Sequence, residues 1–249
     1  AAWRAAVVHR RATVVAENVD LLLQLPPRPA ATEAQATGTA QSNLLTYSAL
    51  EFVAPRSVAV VHKAPSVVSA SGVVIRSVVS MISSGTEMLI YRGQFDDSDE
   101  PLDKTIKGLS SSRLSYPMAY GYSLVGRVER VGSDVPTRLL GTLVFAFAPH
   151  AECAYTDATG LQPVPEGIAP ADAAFLPAAE TAISIVHDAH PRLGERVHVF
   201  GAGVIGLLVV SCLARLGVHV VSIEPDESRR RLALQLGATE SMPPADAPR

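Results

Sequence analysis

Hydrophobic positions fall into two textures along the chain. From about residue 48, short valine-rich runs alternate with turn residues: SVAVVH (57–62), GVVIRSVVSMI (72–82), SLVGRVERVG (123–132) and TLVFAFA (142–148). Gly, Pro, Ser and Asp separate them, which predicts a small, mostly antiparallel β domain. Near residue 165 the texture changes. PEGIAPADAAFLPAAETAISIVHDA is alanine-rich and helical in spacing, with Pro170 placed for a first turn and Pro177 marking a break. RVHVF (196–200) then reads as a strand, GAGVIGLLVVSCLARLG (201–217) as a turn and a helix, VHVVSIE (218–224) as a second strand and DESRRRLALQLG (226–237) as a second helix, with Asp226 or Ser228 as its cap. Strand, helix, strand, helix opens a parallel α/β sheet.

Outside these runs, residues 26–42 (PPRPAATEAQATGTAQS) have linker chemistry. The pattern therefore divides the chain into an extension or linker (1–46), a β domain (47–165), and linker helices with the start of an α/β domain (166–249). DDSDE (96–100) reads as a charged surface loop. The opening AAWRAAVVHRRATVV carries Arg4, Arg10 and Arg11 before the first acid, Glu17. That is the texture of an organellar transit peptide, or of an ordinary exposed extension.

Composition narrows the function classes. The 249 residues carry a formal charge of −3 and are 48% hydrophobic, with no basic stripe, which argues for a soluble chain without a nucleic-acid partner. No apolar run approaches about 18 residues, so no membrane span is expected, and a cytoplasmic setting is the default, with an organelle as the alternative. Cys153 and Cys212 lie far apart without CxxC spacing, which excludes a disulfide framework and a cysteine-rich zinc knuckle.

Gly201, Gly203 and Gly206 form GxGxxG where a strand meets a helix. Gly201 permits the tight turn, Gly203 keeps side-chain atoms away from a pyrophosphate, and Gly206 lets helix and strand approach. The helix N-terminus, with Val204 and Ile205 in its first turn, supplies N–H groups and a positive dipole end to the phosphates. Glu224 closes the second strand, placed to accept hydrogen bonds from the adenosine ribose. Its charge repels a 2′-phosphate, so NAD is the expected cofactor. Arg229, Arg230 and Arg231 follow closely; they are either a solvated helix face or a partner for the 2′-phosphate of NADP.

The order of parts resembles the medium-chain dehydrogenase/reductase superfamily, the zinc alcohol dehydrogenase-like proteins. YPMAYGYSLVGRVERVGSDV (116–135) is similar to that family's strand entering the catalytic site, and LGERVHVFGAGVIGLL (193–208) to its cofactor turn. SSGTEMLIYRG and YGYSLVGRV resemble the branch of bacteriochlorophyllide hydroxyethyl dehydrogenases and their relatives. The resemblance implies a GroES-like β-barrel domain followed by a Rossmann domain, of which this chain carries only the first half. It implies NAD(P)-dependent hydride transfer with a small-molecule substrate, and pairing into a homodimer is common among such proteins.

In zinc members, the run matching SGTE carries a cysteine ligand, a hydroxyl that relays the substrate proton, and an acid behind the metal. Ser84, Thr86 and Glu87 stand at those positions. The positions of a histidine ligand and a glutamate hold Tyr122 and Ser123. Pro177 takes the third ligand position, Leu89 replaces a relay histidine, and the four-cysteine structural lobe is absent. Serine, tyrosine and proline do not replace thiolate and imidazole at tetrahedral zinc, so no zinc is expected. Catalysis would then rest on Thr86 and Tyr122 as hydrogen-bond donors, with Ser84 assisting. Tyr122 is equally an aromatic packing residue, and Thr86 equally a helix N-cap. Thr181 lies where the family contacts the nicotinamide end, and Glu180 beside it is a catalytic group or a helix-surface charge. His150 either lines the site or, with Cys153, begins a stray metal site. His187, Asp188 and His190 read as a solvated helix end. A non-catalytic dinucleotide-binding protein and a zinc-dependent alcohol dehydrogenase are the competing functions.

Overall fold

The computed structural model describes residues 46–95 and 114–247. The expected extension up to residue 45 and the charged loop DDSDE lie outside them. The chain separates into two compact units, dividing at 177/178.

In the first unit, β1 (Tyr47–Ala54) and β2 (Ser57–Lys63) form an antiparallel hairpin in which Tyr47 faces Lys63. β3 (Gly72–Ser80), β4 (Leu124–Val131), β5 (Leu143–Ala146), β6 (Cys153–Asp157) and β7 (Gln162–Pro163) build an antiparallel sheet of order β6-β3-β4-β5-β7. The valine runs of the sequence are these strands, and they supply the core: Ile75, Leu124 and Val144 are fully buried. Each such side chain contributes about 1.5–3 kcal/mol through removal from water. A short helix, α1 (Thr86–Arg92), follows β3 after a five-residue turn.

The helical stretch after 165 splits as expected. α2 (Pro170–Ala173) has proline in its first turn, where a missing N–H costs nothing, and Pro177 stands in the first turn of α3 (Leu176–Ala189).

In the second unit, β8 (Arg196–Phe200), α4 (Val204–Arg215), β9 (His219–Ile223), α5 (Glu227–Gln235) and β10 (Glu240–Met242) alternate. The strands are parallel in the order β10-β9-β8. α4 buries Val209, Val210 and Leu213 in one cluster with Val220 of β9 and Ala233 of α5. Among the described residues no helix is long and apolar enough to cross a membrane.

Asp226 caps α5, as its position predicts. Its carboxylate accepts from the Ser228 hydroxyl and the Arg229 N–H, and these two bonds hold its pKa below the ordinary aspartate value. The cap's contribution is therefore complete above the ordinary carboxylate pKa and is lost as pH falls through the depressed value. Asp226→Ala is expected to lower the unfolding midpoint at neutral pH and to flatten part of the acid-side decline, read by thermal unfolding between pH 7 and pH 3.

Candidate functional site

The glycine turn lies in the second unit, between β8 and α4. Gly201 has φ +91°, a conformation that a side chain rarely adopts, and its N–H is held by the Ile223 carbonyl at 2.8 Å. A Cβ on Gly206 would lie 1.9 Å from the Gly201 carbonyl oxygen, so helix and turn pack at a distance only glycine allows. Gly203 differs from both. Its backbone is extended, and a Cβ there would meet nothing within 4 Å. Gly203 is also the N-cap of α4, whose first turn has no side-chain cap. Val204 is exposed and Ile205 half-buried on that turn.

Glu224 is buried at the end of β9. One carboxylate oxygen accepts the Ala202 N–H at 2.7 Å and the other the Asp226 N–H at 3.0 Å, so the side chain ties the glycine turn to the loop after β9. Each oxygen keeps a second lone pair. The three arginines part company. Arg231 pairs with Glu227 at 2.6 Å on the exposed face of α5, and Arg229 is exposed. Arg230 folds back to donate to the carbonyls of Glu224 (2.8 Å) and Pro225 (2.6 Å). Thr181 and Glu180 are exposed on α3.

The corner SSGTE lies in the first unit. Ser84 and Gly85 are exposed and Thr86 is half-buried. Gly85, not Thr86, is the N-cap of α1. The first turn is satisfied from further back: the Ser83 hydroxyl accepts the Thr86 N–H at 3.3 Å, while Glu87 accepts the Ser83 N–H at 2.9 Å. This is a reciprocal arrangement like a capping box, lengthened by one residue, so Thr86 keeps its hydroxyl free of a capping task.

Tyr122 packs on a buried aromatic cluster around Phe52, Ile90 and Tyr120, with its ring edge-on to Tyr120 at 6.4 Å. Ile90 belongs to α1, so the cluster holds the 118–122 segment against the helix that follows the corner. Ser123 is buried, donates to the Ala174 carbonyl, and accepts the Met81 N–H through its own carbonyl.

Beneath this corner lies a constellation that spacing does not reveal. His150 and Glu87 are both buried, and His150 Nε2 lies 2.8 Å from Glu87 Oε2. His150 Nδ1 lies 2.8 Å from the Ser80 hydroxyl. Both ring nitrogens are thus engaged, which removes His150 from a stray His–Cys metal site. Cys153 is buried on β6, and burial pushes its thiol pKa up, away from the thiolate a metal would need. Among the described residues no three His, Cys, Asp or Glu side chains come together as metal ligands.

No protein-family model matches this sequence. Two curated relatives are similar to it. One is D-guloside 3-dehydrogenase of Escherichia coli K12, 28% identical over 196 residues, covering 74% of this chain and 56% of that one. The other is quinone oxidoreductase-like protein 2 of Mus musculus, 32% identical over 145 residues, covering 55% and 41%. The chain spans about half the length of the curated relatives it matches. Among solved structures, an alcohol dehydrogenase of E. coli CFT073 complexed with NADH aligns with TM-score 0.67 at 19% identity, covering 82% of this chain and 64% of that one. The quinone oxidoreductase of Thermus thermophilus, also solved with NADPH, aligns with TM-score 0.60 at 24% identity, covering 80% and 60%. The β domain followed by strand-helix repeats, the GxGxxG turn with a buried acid one strand later, and these sequence relatives make the chain similar to the medium-chain dehydrogenase/reductase proteins, with their GroES-like and Rossmann domains.

Proposed function

We propose that this chain belongs to an NAD(P)-dependent oxidoreductase that moves hydride to or from a carbonyl, alcohol or conjugated small molecule without zinc. The observation that carries the reading is Gly203. Gly201 is explained by its φ and Gly206 by the close approach of backbone, but nothing among the described residues requires glycine at 203. Open space beside an uncapped helix start fits a pyrophosphate. Gly203, Val204 and Ile205 would hold the phosphates, Glu224 the adenosine ribose, and Thr181 the nicotinamide end. When bound, the cofactor supplies or accepts hydride.

The donor set does not fit catalytic zinc. Ser84, Tyr122 and Pro177 offer two neutral hydroxyls and no thiolate or imidazole. Charge on a substrate oxygen would instead be stabilised by the hydroxyls of Thr86 and Tyr122, with Ser84 assisting. Residues 47–165 would then serve substrate and residues 166–249 the cofactor. Glu224 favours NAD, while Arg230, folded onto the Glu224 and Pro225 carbonyls, provides a cation beside the ribose position that would let NADP compete.

Thermal unfolding of the full chain is expected to rise with NAD(H) and less with NADP(H). Mass spectrometry should then find deuterium moved from C4-deuterated NADH to the carbinol carbon of the alcohol formed from a ketone. Thr86→Val and Tyr122→Phe should each lower turnover about 10²-fold, the usual cost of one lost oxyanion donor. Stabilisation by cofactor without any deuterium transfer would instead identify a binding protein. Stoichiometric zinc in the purified protein would overturn the metal-free reading.

A further inference from the structure

We propose that Glu87, His150 and Ser80 form a proton relay, with Ser80 as the group that exchanges a proton with the substrate oxygen. The inference rests on the oxidoreductase reading above and adds residues that reading does not use. The three side chains come from three separate parts of the first unit: Ser80 from the end of β3, Glu87 from α1, and His150 from the loop between β5 and β6. Glu87 is 2% exposed and His150 7%, whereas Ser80 is partly exposed, so the array runs from a buried carboxylate toward the surface.

The geometry assigns the protons. Glu87 accepts the Ser83 N–H on one oxygen and faces His150 Nε2 with the other. A carboxylate only accepts, so Nε2 carries hydrogen, and Nδ1 alone exchanges with Ser80. Two arrangements follow. Neutral His150 accepts the Ser80 O–H at Nδ1; protonated His150 donates Nδ1–H to Ser80 and frees the serine hydrogen to point elsewhere.

The surroundings reserve this place for the ring. Gly121 has φ +136°, and a Cβ there would lie 2.9 Å from His150 Cδ2 and Nε2. The His150 carbonyl accepts the Leu50 N–H at 2.9 Å, fixing the loop to β1. The array also touches the candidate corner on two sides: Ser83 precedes Ser84, and Gly121 precedes Tyr122. Other ionisable groups on the surrounding elements are Tyr120 and Tyr122, Glu51 of β1, which pairs with Lys63, and Glu152 on the histidine's own loop, which accepts the Ser48 N–H. Arg76 of β3 pairs with Glu129 of β4.

In the reducing direction, a bound reduced nicotinamide would supply hydride to the carbonyl carbon, and the C=O π bond would open onto oxygen. That oxygen takes the Ser80 proton, and Ser80 takes the Nδ1 proton of His150. His150 is left neutral, with Nε2–H still on Glu87, and a solvent proton restores it. Oxidation runs the same transfers backwards.

The test uses the full chain, with 1,4-naphthoquinone reduction by NAD(P)H and methyl D-guloside oxidation by NAD(P) as probes. Ser80→Ala is expected to keep its unfolding temperature and cofactor binding, lose about 10²-fold in turnover, and lose the solvent deuterium isotope effect. Ser80→Thr should restore them. Independently of turnover, 15N spectra of the histidine ring should show hydrogen on Nε2, which faces Glu87, and Ser80→Ala should shift the Nδ1 resonance. Turnover within twofold of wild type in Ser80→Ala, with the solvent deuterium isotope effect intact, overturns the relay. So does a ring whose Nε2 carries no hydrogen. If wild type transfers hydride to neither probe, the oxidoreductase reading fails on these probes, and the ring spectra alone decide whether the relay exists.

Discussion

Gly206→Ala is expected to unfold the second unit, while Gly203→Ala leaves it folded and impairs cofactor binding. The two glycines lie three residues apart in one turn, yet they answer to different constraints. At 206 the new methyl carbon would stand 1.9 Å from the Gly201 carbonyl oxygen, a backbone atom held through the Gly201 N–H by β9. Either α4 lifts from β8 or the turn opens, and both disturb the cluster of Val209, Val210, Leu213 and Val220. A loss of at least about 4 kcal/mol is expected, in the range of severe core lesions. That is a large share of the roughly 5–15 kcal/mol a domain has. At 203 the backbone already has φ −75° and ψ −173°, which alanine adopts freely, and the methyl enters open space. Stability should change by no more than about 1 kcal/mol, the scale of an N-cap exchange. Cofactor affinity should fall at least tenfold if, as proposed, the pyrophosphate approaches the turn at Gly203, where the methyl would stand. Urea unfolding and cofactor titration of both variants give the comparison. A Gly203→Ala variant that binds NAD(H) like wild type would remove the main support for the proposed function.

The contrast between the glycines was only half legible in the sequence. GxGxxG with an acid 18 residues on announces the turn, because strand, turn and helix are contiguous and each has a local period. For the same reason β8, α4, β9 and α5 were readable, as was the Asp226 cap. β1 is hard to read from sequence: its buried residues, Ala49 and Phe52, are three apart, and a register shift after Phe52 breaks the alternation that marks a strand. Thr86 looked like an N-cap because threonine precedes a glutamate after a strand; the helix instead begins one residue earlier, and Ser83 takes the role from outside. The pairing of Glu87 with His150 spans 63 residues and that of Ser80 with His150 spans 70. No spacing rule reaches so far; the only local hint was a histidine within the apolar run FAPHAECAY. The arginines after Glu224 had two readings, and the structure divides them, with Arg231 on the helix surface and Arg230 turned onto the loop.

Replacing Glu224 should have the second large effect, and two substitutions separate its structural part from its part in cofactor choice. Its carboxylate takes two backbone N–H groups, from Ala202 and Asp226, and Ala202 is itself buried. Hydrogen bonds to a charged acceptor are worth about 1.5–3 kcal/mol each, and a buried N–H left without a partner costs a similar amount. Glu224→Ala loses both and should destabilise the second unit by about 3–5 kcal/mol on that scale. Glu224→Gln keeps one acceptor and turns an NH2 group toward the other N–H, so its loss should be roughly half. The glutamine variant also removes the negative charge without removing the side chain's bulk. Repulsion of a 2′-phosphate disappears, while Arg230 remains folded against the Glu224 carbonyl, which the substitution does not touch. The ratio of NADP to NAD affinity should therefore rise at least tenfold, equivalent to about 1.4 kcal/mol. Calorimetric titration with both cofactors on Glu224→Gln reads this directly. An unchanged ratio would mean that the carboxylate serves the fold alone and that cofactor choice is made elsewhere.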